Sequence, residues 1–186
     1  MKKKLFWALT AATTATYGTI VLWSLPTIAT EAAGLTPFDM RPGGYTYEDA
    51  FAFLSVLSAE GRLHYTTVQH MLDWLYPPLM SATLLFAIWA MLPKRLGHLR
   101  WIVALSALPS TVFDYAENAA IGQVLGARPD VLDPALVEHA SAMTVLKSQS
   151  TTLAITLTLA LLLVHGAAWA RQALRSSRQQ GVRQEG

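Results

Sequence analysis

The chain has 186 residues, which suits one compact unit rather than several. Hydrophobic residues make up 53% and charged residues only 14%, where an ordinary soluble domain carries about 25% charge, so the composition points to a membrane protein. There is no cysteine, which excludes disulfides and thiolate metal centres. The net charge of +2 sits at the ends of apolar runs rather than in one basic patch, so nucleic acid is not an expected partner.

Residues 5–28 form a 24-residue stretch without charge, behind Lys2, Lys3 and Lys4. A helix needs about 20 residues to cross the hydrocarbon core. A cleaved signal peptide is the rival, with Thr27-Ile28-Ala29 as its cleavage site, but signal cores run only about 7–15 residues. A retained first span is therefore expected. Its Thr, Ala and Gly18 content suits close helix packing.

An outer loop follows over 29–65, broken by Pro37, Pro42, Gly43 and Gly44. Within it, Thr46 reads as the N-cap of an amphipathic surface helix running to about Glu60, with Gly61 as its end. A second span is expected over 66–92, kinked by Pro77-Pro78. A basic turn covers 93–100, a third span 101–125, and a loop 126–134. The fourth helix starts near Pro134 and crosses over about 143–170, leaving a basic tail at 171–186. The expected fold is all-α: a single transmembrane domain, built as an integral membrane four-helix bundle with an additional amphipathic helix in the first outer loop.

Charge sets the expected orientation. Lys2, Lys3, Lys4, Lys94, Arg95, Arg100, Arg171, Arg175, Arg178 and Arg183 are ten of the fourteen Lys and Arg, and all fall on one side. The positive-inside rule puts that side, with both termini, in the cytoplasm, as in a bacterial inner-membrane protein. Eleven of the twelve acids belong to the other half.

Two stretches carry polar groups inside apolar runs. On span three, Ser110, Asp114, Glu117, Asn118 and Ile121 share one helical face. On span two, Thr66, His70, Asp73, Pro77 and Ser81 do the same. A helix rise of about 1.5 Å per residue places Asp114 about 21 Å and Glu117 about 25 Å from Arg100, near the depth of Asp73. Unpaired ions in lipid are costly, so both faces should turn inward and meet. His70, Asp73, Asp114 and Glu117 are the candidate catalytic residues. Tyr65, Gln69, Trp74, Tyr76, Tyr115 and Asn118 are candidate binding residues, with Arg41, Arg62, His139 and Lys147 at the rim.

Three readings compete. The cluster is a hydrogen-bonded lock between helices in a scaffold or complex subunit. Or it is an acid–base site in a pocket open toward the outer leaflet, where crowded carboxyls near His70 bind a lipid-like molecule and isomerise or hydrolyse it. Or it is a metal site, because His70-x-x-Asp73 and Asp114-x-x-Glu117 are i, i+3 pairs on two helices, with His64 or His139 as a further ligand. The layout of four spans, long first loop and intramembrane acids is similar to that of the emopamil-binding and sterol-isomerase group, a likeness of layout with no shared motif. No phosphate loop, nucleophile elbow or His-Glu-x-x-His pattern is present. The bilayer is the expected partner, with a homo-oligomer or a membrane complex as further options. The sequence does not identify a cofactor; the oxygen-rich ligand set of the metal reading would suit Mn, Fe or Zn.

Overall fold

The computed structural model describes the backbone of residues 2–184 and the side chains of 3–171, so the side chains of the basic tail beyond Arg171 lie outside the described residues. Within these bounds the chain is helical, with no strand. Helix α1 (Lys2–Thr19) continues through a π turn (Ile20–Ser24) into α2 (Leu25–Glu31). After a loop comes α3 (Tyr47–Val56), then α4 (Ala59–His64), which runs through a second π turn (Tyr65–Gln69) into α5 (His70–Met91). Helix α6 (Leu99–Ala104) passes through a 3-10 turn into α7 (Leu108–Gly126), and α8 spans Pro134–Gln184.

Three helical stretches are long and apolar enough to cross a membrane: Lys3–Glu31, Ala59–Met91 and Pro134–Arg171. The expected third span is not among them. The reason is local. Asp114, Glu117 and Asn118 lower the hydropathy of α7, and the 3-10 turn with Pro109 divides it from α6. Helix α7 instead packs extensively against α8 and α5, so it buries its polar face between them.

The expected helix Thr46–Glu60 is shorter and ends differently. Thr46 does cap α3, accepting from the Asp49 N–H while the Asp49 carboxylate accepts from the Thr46 N–H. The helix then stops at Val56, and the next rod starts at Ala59, capped by Ser58, whose hydroxyl accepts from the Gly61 N–H at 2.9 Å. Gly61 is therefore a helix beginning, not an end. It must be glycine because a Cβ there would lie 2.4 Å from Glu31 Cβ, where the start of α4 meets the end of α2. Gly44 is the other constrained position, with φ +86 and a Cβ that would meet Ser141 Oγ at 2.7 Å. That contact lets the Tyr45 N–H donate to Ser141 and ties the loop to α8.

Pro77 and Pro78 lie inside α5 and remove the donors that Asp73 and Trp74 carbonyls would use. Helix α7 supplies substitutes. Tyr115 Oη donates to the Trp74 carbonyl at 2.9 Å, and Asn118 Nδ2 approaches the Asp73 carbonyl at 3.5 Å. In a bilayer such replacement is what makes an internal proline tolerable.

The core has two apolar clusters. One gathers Ile28, Phe38, Phe53, Tyr65, Ile121, Val124 and Val137; the other gathers Ile88, Leu92, Ala104, Ala107 and Ala154. Between them along α5, α7 and α8 lies a polar belt: Asp73 and Ser81, then Ser110, Asp114, Glu117 and Asn118, then Thr144 and Lys147.

Candidate functional site

All five residues of the expected α7 face, Ser110 to Ile121, are buried. The α5 face holds only in part. Asp73, Pro77 and Ser81 are buried, but Thr66 is exposed and His70 half-buried. The π turn is the cause. Its extra residue per turn shifts the register, so Tyr65 and Gln69 point inward instead.

The belt divides into two halves. In the first, Lys147 from α8 reaches inward, with Nζ 2.5 Å from Glu117 Oε2 and 3.3 Å from Asp114 Oδ2. Glu117 is 0% and Asp114 2% exposed. Asn118 Nδ2 also donates to Asp114 Oδ1 at 3.0 Å. Lys147, expected at the rim, is thus the counter-ion of the core. One ammonium facing two carboxylates gives the geometry that a metal cation would otherwise supply.

The second half is open. Asp73, 6% exposed, accepts from Gln69 Nε2 at 2.8 Å through Oδ1. It lines a cavity of about 180 Å³ together with Asp39, Tyr65, Thr66, His70 and Asn118. Asp39 accepts a hydrogen bond from the Tyr65 hydroxyl. Asp39 sits on a 3-10 turn (Phe38–Met40) that is pinned by its neighbour. Phe38 is fully buried, with ring centroids 4.7 Å from Tyr45 and 4.8 Å from Phe53. Thr66 and Leu125 also line a second cleft of about 650 Å³, bounded by Leu57, Leu63 and Pro129 and by the two arginines Arg62 and Arg128, so the polar cavity and this cleft adjoin.

Several expected contributors lie elsewhere. Arg41 pairs with Asp49 at 3.2 Å and donates to the Thr36 carbonyl. Arg62 donates to the carbonyls of Leu125 and Ala127, satisfying the end of α7. Trp74 and Tyr115 form a ring pair 5.0 Å apart, and Trp74 is 59% exposed, so it covers a flank rather than a pocket. Tyr76 stacks on Tyr17 and donates to Met80 Sδ at 3.1 Å. His139 is exposed. His64 bonds Ser24 at 3.0 Å, joining α4 to the first π turn. Among the described residues, no three His, Asp or Glu side chains converge as metal ligands.

Outside the belt, the Thr46 N–H, and after it Arg41, holds the Asp49 carboxyl below its ordinary value of 3.8. Burial pushes the Tyr45 phenol up, so it stays neutral.

Comparison with known proteins finds no matching family model, no matching curated protein and no matching solved structure.

Proposed function

We propose that this is an integral protein of a bacterial inner membrane whose open half-site, around Asp73, His70 and Asp39, binds the polar end of a lipid-like molecule. The observation that carries the reading is the cavity itself. It presents two carboxyl side chains, an imidazole and a phenol at one end of a larger, partly apolar cleft. A ligand pocket of mostly apolar wall with a few convergent polar groups is the usual arrangement for a small molecule. Neither lysine nor arginine lines the cavity around Asp73, whereas Arg62 and Arg128 line the adjoining cleft, so the Asp73 end favours a ligand group that donates hydrogen bonds, a hydroxyl or an amine. The tail of the molecule would lie in the cleft beside Leu63 and Leu125.

His70 and Asp73 also supply the minimum for proton transfer. One group would take a proton from the bound molecule and the other return a proton elsewhere on it, a net isomerisation that needs no co-reactant.

In this reading four helical rods cross the bilayer: 3–31, 59–91, 99–126 and 134–171. The third is shielded from lipid by its neighbours, which would let it carry acids. Both termini and the 93–100 turn face the cytoplasm, supported by the ten basic residues at that end. Reporter fusions at both termini and at Gly97 would test it; periplasmic activity of any of the three overturns it.

The site is tested by replacing His70 with Ala and Asp73 with Asn, then comparing lipids retained on purification. The expected result is at least a tenfold loss of a retained species with the melting midpoint nearly unchanged. Unchanged lipid content for both variants would refute the binding site.

A second reading is favoured by the Lys147 contacts: a scaffold whose polar belt is structural throughout. It expects both halves of the belt to behave alike on mutation.

A further inference from the structure

At the opposite end of the molecule from the acids, α1, α5 and α8 leave an apolar groove of about 360 Å³ between them. Phe6 and Trp7 form one wall, Phe86 and Trp89 the other, and Leu162 closes the base. The walls are built, not incidental. Phe6 and Trp7 meet edge to face at 5.4 Å. Trp89 is braced by Arg100, whose guanidinium carbon lies 4.3 Å from the ring centroid and whose Nη2 donates to the Trp89 carbonyl at 2.6 Å. Trp101 packs against the same ring at 5.4 Å.

The mouth of the groove is basic. Lys3 lines it, and Lys94 and Arg95 stand three and four residues beyond Met91, another lining residue. Lys3, Lys94 and Arg95 are all exposed. No Asp or Glu occurs in residues 2–30, 74–113 or 139–171, the segments that build this end. The ion pairs of the described residues lie elsewhere, at Arg41–Asp49, Arg128–Asp130 and Lys147 with its two acids. A hydrocarbon-lined slot therefore ends at cations that have no counter-ion among the described residues. A molecule that complements both is an acyl chain joined to an anionic head.

We propose that this groove is a binding site for one anionic phospholipid, an acyl chain lying between Phe6 and Phe86 and the phosphate held by Lys3 with the Lys94–Arg95 turn. Basic pockets between spanning helices bind anionic headgroups on the same electrostatic grounds, each cation near the surface contributing about 1 kcal/mol. The site is independent of the Asp73 cavity. None of its residues is shared with that cavity, so either proposal can fail alone.

The full chain in detergent is titrated with phosphatidylglycerol and, separately, phosphatidylcholine of the same acyl chains, and bound lipid is counted by native mass spectrometry. The expected result is one phosphatidylglycerol bound at least tenfold more tightly than phosphatidylcholine. Substituting Lys3, Lys94 and Arg95 together by Gln should abolish that preference. Ala87→Leu, which fills the groove and leaves every charge in place, should weaken both lipids. If Ala87→Leu lowers the melting midpoint, the charge variant alone decides, since its side chains are exposed. Equal binding of the two lipids, or a preference that survives the charge variant, overturns the proposal. Competition by inorganic phosphate at millimolar concentration also overturns it, because the site would then read the anion without the chain.

Discussion

The two halves of the polar belt contain the same kind of group in different surroundings. Asp114 and Glu117 face an ammonium and are not among the residues that line the Asp73 cavity. Asp73 faces an amide, and beyond that an empty space shared with Asp39 and His70. Both sets sit on helices that sequence alone would treat as equivalent. What separates them is the reach of one lysine from α8. Glu117 keeps Oε1 without a hydrogen-bond partner, so the sealed half is distinguished by its counter-ion and not by full satisfaction, whereas Asp73 stands beside a cavity and can accept something further. The protein thus uses neighbouring buried acids for holding helices together and, in our reading, for receiving a ligand.

The largest effect expected from breaking this contrast is on stability. Lys147→Met removes the one cation that pairs with Asp114 and Glu117 among the described residues and leaves both buried without it. Removing one partner of a buried ion pair costs about 3–5 kcal/mol, mostly because an uncompensated charge remains. Detergent unfolding should show a loss of that order, or the variant should fail to accumulate. Adding Asp114→Asn and Glu117→Gln to Lys147→Met removes the stranded charges and should restore much of the stability. Rescue is the informative part. If the triple variant is no better than the single one, the lysine acts through packing of its stem and the ion-pair account fails. Asp73→Asn should cost far less, since its Gln69 partner can still bond the amide oxygen. A loss as large as that of Lys147→Met would erase the difference between the halves and favour the scaffold reading.

A medium effect is expected where α7 repairs α5. Tyr115→Phe removes the donor that serves the Trp74 carbonyl left open by Pro78. Hydrogen bonds between spanning helices average about 0.6 kcal/mol, so a loss of about 0.5–1 kcal/mol is expected. Restoring a backbone donor with Pro78→Ala in the same chain should cancel the loss. A double variant that remains as weak as Tyr115→Phe would show that the tyrosine ring, packed on Trp74, is what matters. Here the sequence was only partly legible. The 3.6-residue spacing on α7 identified its inward face from Ser110 to Ile121, and every one of those residues is buried. The same spacing failed above Asp73, because a π turn at Tyr65–Gln69 alters the register and leaves no sequence mark. Lys147 was ambiguous for a different reason. A long flexible stem can carry its charge outward or inward, and only the position of Glu117 decides. Asp39 was invisible because it lies in a loop, where no periodicity separates a buried acid from a solvated one. The nearest signal was Pro37-Phe38, an aromatic anchor directly beside the acid.

The smallest effect belongs to the region outside the belt, where a carboxylate is neither sealed nor open but simply caps a helix. Thr46→Ala removes the hydroxyl that accepts from the Asp49 N–H, and the loss of such a cap costs about 1 kcal/mol. Asp49 adds a pH signature. Its folded-state carboxyl lies below the ordinary value of 3.8, so it binds a proton less readily folded than unfolded. Its contribution is therefore complete above the unfolded value and disappears as pH falls through the folded one. Melting midpoints of the parent chain and of Asp49→Asn should accordingly converge as pH is lowered from 6 toward 3, and stay apart by a constant amount above pH 6. Because the side chain is 45% exposed, the gap should be small and should shrink further in high salt. A gap that widens on acidification would mean that the charge of Asp49 harms the fold, contrary to its contacts with Arg41 and the Thr46 N–H.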